Sequence, residues 1–215
     1  MPSALVSDFD GTITGTDFFS LVAERYMPSG EPDYFERYRA GEITHLQAMQ
    51  AFFRWTPSDH AALEEILRDT QPDPDLKAAC DHLDRAGWQL IIVSAGSSWY
   101  IERILDQAGI TTAIVHANPG RVVPGQGLQL HPPPDERFFS RTAGIDKSAV
   151  MRDALQRYKR VAFAGDGPPD LAPALLTQPG DRFARRWLAG ELTRQGEAFR
   201  PFEQWSAIVD TLLSA

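Results

Sequence analysis

Asp8-Phe9-Asp10-Gly11-Thr12-Ile13-Thr14 sets two carboxylates two residues apart, one residue after the apolar pair Leu5-Val6. If that pair belongs to a strand, period-two alternation puts Asp8 and Asp10 on one side of its carboxyl end. Carboxylates that close repel and shift each other's pKa unless a cation lies between them. An all-oxygen donor set suits a hard ion such as Mg²⁺. Taken alone, the pattern is equally an Asp-Gly turn with solvated carboxylates. Gly165-Asp166-Gly167-Pro168-Pro169-Asp170 repeats the situation after the run Val161–Ala164, with glycines that permit close backbone approach and Pro168 able to begin a helix. Its plain alternative is an acidic strand-to-helix turn. Ser94-Ala95-Gly96-Ser97 follows the run Leu90–Val93 and leads into a helical pattern. A hydroxyl beside helix-start N–H groups makes an anion site at Ser94, Ala95 and Gly96, or simply an N-cap. Lys147 opens a further helix, and the chain has only two other lysines, Lys77 and Lys159. A surface lysine is its alternative.

The elements that would position these groups follow from periodicity. Leu5-Val6, Leu90–Val93, Ala113–Val115 and Val161–Ala164 are short apolar runs bounded by turn residues, as expected of parallel strands covered on both faces. Between them lie helical patterns at Trp99–Gln107, ending at Gly109, and at Lys147–Tyr158. Alternating strands and helices predict a three-layer α/β fold with a parallel sheet. Arg121–Leu130 centres on Pro-Gly-Gln-Gly and predicts a hairpin. From about residue 18 to residue 70 only helical patterns occur: Phe19–Tyr26, Tyr34–Arg39, Leu46–Trp55 and Ala61–Arg68. Thr56-Pro57-Ser58-Asp59 resembles a capping box with Pro57 in the first turn. A helical block inserted straight after the first strand predicts a cap over the strand ends, with hinges near Thr14–Thr16 and Gln71–Asp75.

Composition narrows the classes. The 215 residues suffice for one good-sized domain with an insertion, and 43% hydrophobic with 23% charged residues excludes a disordered or low-complexity chain. Twenty-one basic against 29 acidic residues give a formal charge of −8, with no basic block, so no nucleic-acid or anionic-membrane partner is expected. Cys80 is the single cysteine, which excludes an internal disulfide and a cysteine-based zinc site. No apolar run nears the ~20 residues that cross a bilayer, and a cytoplasmic location is expected. The five histidines (His45, His60, His82, His116, His131) show no metal-ligand spacing and receive no role. Nothing in the composition sets an oligomeric state.

In their order along the chain, DFDGTIT, Ser94, Lys147 and GDGPPD resemble the four motifs of the haloacid dehalogenase (HAD) superfamily, over residues 8 to 170. The early helical insertion resembles that superfamily's C1-type cap. The resemblance implies a Rossmann-like core from residues 1–15 and 73–215, with a helical cap at 16–72. It implies that Asp8 attacks phosphorus and becomes an aspartyl-phosphate. Asp10 would protonate the leaving oxygen and then activate water. Mg²⁺ would be held by Asp8, the carbonyl of Asp10 and Asp166, with Asp170 positioning its waters. Ser94, Ala95, Gly96, Lys147 and Thr12 would bind the phosphoryl group or lie beside Asp10. An aspartate at position 10 favours phosphomonoester hydrolysis or phosphate transfer over dehalogenation, which needs no leaving-group proton. A phosphotransferase or a non-catalytic phosphometabolite-binding protein are the other readings.

Two capped branches come closest, phosphoserine phosphatases and the methionine-salvage phosphatases acting on 2-hydroxy-3-keto-5-methylthiopentenyl-1-phosphate. Asp17 stands where the first branch has an acid near the substrate amine, or is the N-cap of the helix at Phe18. Counting from Gly41, the position of that branch's carboxylate-binding arginine is Phe52, with Arg37, Arg39 and Arg54 nearby. Phe52 and Phe53 are more often cap core than pocket wall; as wall, a phenylalanine would suit an uncharged, thioether-bearing small metabolite. Phe183-Ala184-Arg185 and the following helix-like segment resemble the salvage branch's ending. The segment HPPPDERFFSRTAGID before Lys147 replaces the cysteine cluster of several of its members. The substrate expected is the salvage enol phosphate, with phosphoserine as the alternative.

Overall fold

The computed structural model describes residues 2–214. β1 (Ser3–Ser7) is buried along its whole length and lies at the centre of a six-stranded parallel sheet. On one side it pairs with β2 (Trp88–Ser97), and β2 pairs with β3 (Ile114–Asn118). Two short antiparallel pairs lead away from the sheet: β4 (Gly120–Val123) with β5 (Gly127–Leu130), the expected hairpin, and β6 (Phe139–Ser140) with β7 (Gly144–Ile145). β8 (Val161–Gly165) pairs with the other side of β1, followed by β9 (Arg182–Ala184) and the two-residue β10 (Arg200–Pro201).

Alternation along β1 sorts the core into two layers. Leu5 joins Leu90, Ile92 and Ala162 on one face, and Ala4 and Val6 join Ile91, Val93 and Phe163 on the other. Ten α-helices are seen among the described residues. Those between β1 and β2 are α1 (Phe18–Tyr26), α2 (Tyr34–Arg39), α3 (His45–Phe53), α4 (His60–Asp69) and α5 (Leu76–Arg85). Then come α6 (Ser98–Gln107), α7 (Lys147–Arg157), α8 (Leu171–Leu175), α9 (Arg186–Gln195) and α10 (Ser206–Leu213). Leu83 of α5, Ile104 of α6 and Ile208 of α10 pack on the Leu5 face; Met151 of α7, Ala174 of α8 and Leu188 of α9 pack on the Val6 face. Helices on both sides of a parallel sheet make the three-layer, Rossmann-like α/β fold that the sequence predicts.

Helices α1–α4 are joined to the sheet by two strips of chain that run side by side. Thr14 bridges antiparallel to Pro72, Gly15 N–H donates to Gln71 O at 2.8 Å, and Thr16 N–H donates to Thr70 O at 2.9 Å. α3 also meets the core at its start, where Leu46 N–H donates to Thr142 O at 2.8 Å.

Three local readings are corrected. α4 is capped by Asp59, which accepts the Ala62 N–H at 2.9 Å, and not by Thr56, whose buried hydroxyl has no partner among the described residues. A carboxylate accepts a helix N–H more strongly than a hydroxyl, which places the start three residues later. Ser94 does not open a helix: β2 continues to Ser97, and Ser97 caps α6. A register shift between Val93 and Ser97 lets the chain stay extended there. Pro168 begins a single 3₁₀ turn, Pro168–Asp170, ahead of α8.

Candidate active site

The carboxyl ends of β1, β2 and β8 converge with the start of α7, and four aspartates and a lysine meet there. Asp8 is the first residue beyond β1; its Oδ1 accepts the Phe9 N–H at 2.7 Å and lies 2.8 Å from Lys147 Nζ. Lys147 takes its place because Asp146 caps α7, accepting the Ala149 N–H at 2.9 Å. Its ammonium also donates to Asp170 Oδ1 at 2.7 Å. Asp170, fully buried, accepts the N–H groups of Asp166 and Gly167 at 3.1 and 3.0 Å through Oδ2. Thus both Asp170 oxygens are occupied by protein donors.

Asp166 ends β8. Its Oδ1 accepts from the Thr12 hydroxyl at 3.1 Å, and its Oδ2 from Arg186 Nη1 at 3.2 Å. The intervening Gly11 has φ of +72°, and a Cβ there would lie 2.7 Å from Arg186 Nη1 and 2.9 Å from Asp166 Cγ, so the turn accepts only glycine without strain. Asp10 turns the other way. Its Oδ2 accepts from Tyr100 Oη at 2.5 Å and from Ser94 Oγ at 3.3 Å, while Oδ1 accepts the Phe18 N–H at 3.0 Å. Ser94 Oγ accepts the Gly96 N–H at 3.0 Å.

Electrostatics follow from this crowding. Burial, then the Asp170 charge, push the Asp8 carboxyl well above the ordinary range, against the pull of Lys147. Burial and Asp170 raise Asp166 to about 6, and burial and Asp17 raise Asp10 to about 6. Burial alone would lower the Lys147 ammonium, yet Asp170 and Asp8 hold it above its ordinary value. Oxygens of Asp8, Asp166 and Asp170 all lie within 4.8 Å of one another. Buried, mutually repelling carboxylates of this kind form an oxygen-only donor set, which matches the chemistry of a hard divalent cation.

Asp8, Asp10, Asp17, Ser94, Ala95, Gly96, Lys147 and Asp166 line one cavity of about 430 Å³. Asp170 sits behind it, reaching it through Lys147. Thr12, expected beside Asp10 or phosphate, instead points its hydroxyl at Asp166. The Asp10 side chain stands apart from the acidic cluster, leaving only its main-chain carbonyl as a possible metal donor. Asp17 is at the N-cap position of α1 but makes no cap hydrogen bond; its carboxylate accepts from Ser20 Oγ at 3.4 Å and faces the cavity. Phe52 is misplaced by the count from Gly41. It is buried behind the wall, 5.5 Å from the Phe19 ring and 5.0 Å from the Phe35 ring, and it is those two rings that face the cavity.

Sequence reasoning missed Tyr100, His45 and the Arg185-Arg186-Trp187 run. Arg186 ion-pairs with Asp166, and Arg185 holds the Asp8–Thr14 turn by donating to Gly11 O at 2.7 Å and Thr14 O at 2.8 Å. A signal existed: two arginines follow the carboxyl end of β9, the strand beside β8, where parallel sheets place their ligands.

A family model described as haloacid dehalogenase-like hydrolase matches residues 5–174. A 2-hydroxy-3-keto-5-methylthiopentenyl-1-phosphate phosphatase of Exiguobacterium sibiricum is 25% identical over 219 residues, covering 99% of this chain and 97% of that one. Among solved structures, a phosphoserine phosphatase held as a phospho-aspartyl intermediate analogue superposes with a TM-score of 0.67 at 13% identity, covering 96% and 97% of the two chains. A HAD family hydrolase of Salmonella enterica serovar Typhi gives 0.69 at 16% identity, covering 93% of this chain, which spans 66% of that longer protein. With its parallel sheet, its acidic strand ends and a match over most of its length, the chain belongs to the haloacid dehalogenase-like hydrolase family.

Proposed function

We propose that the protein is a Mg²⁺-dependent phosphomonoesterase working through an aspartyl-phosphate on Asp8. The observation that supports this is the pairing of Asp8 and Asp10 on one cavity with different partners: Asp8 on Lys147 beside the acidic cluster, Asp10 on Tyr100 and Ser94. Asp8 attacks phosphorus and the ester oxygen leaves. Asp10, its pKa raised by burial, gives that oxygen a proton, then takes one from the water that cleaves the aspartyl-phosphate. Lys147 and the Ser94–Gly96 segment offer donors to phosphoryl oxygens. Asp8, Asp166 and the Asp10 carbonyl would hold Mg²⁺, with Asp170 ordering its waters. The ion would offset repulsion between Asp8 and the substrate dianion. Residues 16–72 act as the cap, closing on the paired strips at Thr14–Thr16 and Gln71–Asp75 to exclude water.

For the substrate we infer an enol phosphate of the 2-hydroxy-3-keto-5-methylthiopentenyl type, whose carbon chain is uncharged. Relatives of that name align along the whole chain, and Phe19, Phe35, Met49 and Trp187 give the cavity an apolar wall for a thioether. One observation favours phosphoserine as a second reading. Asp17 and Arg39 both line the cavity, opposite charges for an amine and a carboxylate. Arg39, however, is 66% exposed and 3.7 Å from Asp33, at the rim and not in the floor. The test compares kcat/KM for the enol phosphate and L-phosphoserine on one preparation, with and without chelator. The enol phosphate should win and chelator should abolish both activities. A preference for phosphoserine of about tenfold or more, the scale of a buried charged hydrogen bond, reverses the substrate. Activity undiminished in chelator removes the metal.

A further inference from the structure

His45 is the first residue of α3, behind a reciprocal capping box. Thr44 Oγ1 accepts the Gln47 N–H at 3.1 Å, and Gln47 Oε1 accepts the Thr44 N–H at 2.8 Å. The tie from Leu46 to Thr142 fixes the same turn against the core. The imidazole packs on Phe35 at 6.0 Å and edge-on to Tyr38 at 5.3 Å between centroids. Backbone and packing therefore orient the ring, and hydrogen bonds do not. It lines the main cavity with Asp10, Ser94 and Lys147, and also an adjoining cavity of about 270 Å³. Its Nδ1 is sealed from solvent, while its Nε2 is not sealed and has no hydrogen-bond partner among the described residues. A preoriented ring in a cavity wall, with an open nitrogen that no protein group engages beside a reaction site, points to a ligand atom at Nε2.

We propose that His45 is a specificity-determining residue, whose imidazole hydrogen-bonds an uncharged oxygen, hydroxyl or ketone, on the substrate's carbon chain beyond the phosphoester. This rests on the phosphatase reading above. Burial and the nearby Lys147 ammonium push the His45 pKa down to about 4, so at neutral pH the ring offers one donor and one acceptor and no charge. Such a ring forms no ion pair with a carboxylate. Its need is met by a hydroxy-keto chain and left unmet by a plain aryl group.

The experiment measures the ratio of kcat/KM for the hydroxy-keto enol phosphate to that for 4-nitrophenyl phosphate. The variants are His45→Phe, which keeps ring volume, and His45→Gln, which keeps a donor and an acceptor; His45→Leu stands in if the Phe variant does not fold. The ratio should fall about tenfold in the nitrogen-free variant and recover to within about threefold of wild type in His45→Gln. A ratio unchanged in the nitrogen-free variant overturns the proposal. An equal fall in His45→Gln also overturns it, because the ring would then act by packing. So does a wild-type protein that cleaves the aryl phosphate and not the enol phosphate. A wild type that cleaves neither overturns the phosphatase reading itself.

Discussion

Tyr100→Phe deletes a single oxygen from the site. The ring stacks on Phe18 with centroids 4.4 Å and planes 5° apart, and phenylalanine preserves that stack. What is lost is the donation to Asp10 Oδ2 at 2.5 Å. Tyr100 stays a neutral donor throughout, because burial and the Asp10 charge hold its pKa well above the ordinary phenol value. Asp10 is raised to about 6 by burial and Asp17, while Tyr100 and the Phe18 N–H pull it down. A hydrogen bond to a charged acceptor is worth about 1.5–3 kcal/mol, and one pKa unit is about 1.4 kcal/mol. Removing the donor should therefore raise Asp10 by about one unit, the lower end applying because Ser94 and Phe18 remain. Phosphoryl transfer to Asp8 needs Asp10 protonated, so kcat/KM falls as pH rises through its pKa. In the variant this alkaline limb should move upward by about one unit. The assay is kcat/KM from about pH 5 to 9 in saturating Mg²⁺. It needs an alkyl phosphate, since a nitrophenolate departs without help from a proton. A folded variant whose limb moves by less than about 0.3 unit, under 0.5 kcal/mol, would refute the assignment of Asp10 as the acid.

Other outcomes are expected with less arithmetic. Asp8→Asn should fold and bind phosphate but show no turnover, since an amide is no nucleophile here; wild-type turnover would remove Asp8 from that role. Lys147→Met leaves Asp8 and Asp170 as neighbouring buried carboxylates and should cost about 3–5 kcal/mol in urea unfolding. A loss below about 1 kcal/mol would mean that the ion pairs are solvated. Gly11→Ala forces a side chain into a left-handed turn, costing about 1–2 kcal/mol, and displaces Asp166, so the Mg²⁺ needed for half-maximal activity should rise several-fold. An unaltered Mg²⁺ requirement would count against Asp166 as a ligand.

The acidic strand ends were legible in the sequence because polar groups directly after a doubly covered apolar strand have few other reasons to be there. Asp8 and Asp166 are of this kind, each two residues past the end of an apolar run such as Val161–Ala164. Local patterning also gave the helices between β1 and α5 to within a residue or two at each end, apart from the cap of α4, which lies three residues beyond Thr56. What failed was anything set by packing between elements. Phe52 and Phe19 are indistinguishable by type, and the angle at which α3 meets α1 decides which ring faces the cavity. His45 carries no ligand spacing along the chain because its surroundings are made by α2, α3 and the ends of β2 and α7. Ser94 resembles a helix cap in sequence because a strand that runs on through Ser-Ala-Gly-Ser leaves no apolar signal.

Asp10, a residue of the core, serves as the acceptor for the first N–H of α1, a duty that Asp17 leaves undone. Helix seating and proton occupancy are therefore thermodynamically joined. An ionised carboxylate holds a helix N-terminus more tightly than a neutral acid does. By reciprocity, seating α1 lowers the Asp10 pKa by the same free energy with which ionisation tightens α1. In the proposed cycle Asp10 becomes an anion at the moment the alcohol departs, so α1 would be gripped hardest while the aspartyl-phosphate exists. When Asp10 recovers a proton from the attacking water, the grip relaxes just as phosphate has to leave. The proton that performs the chemistry would in this way also time the opening of the site.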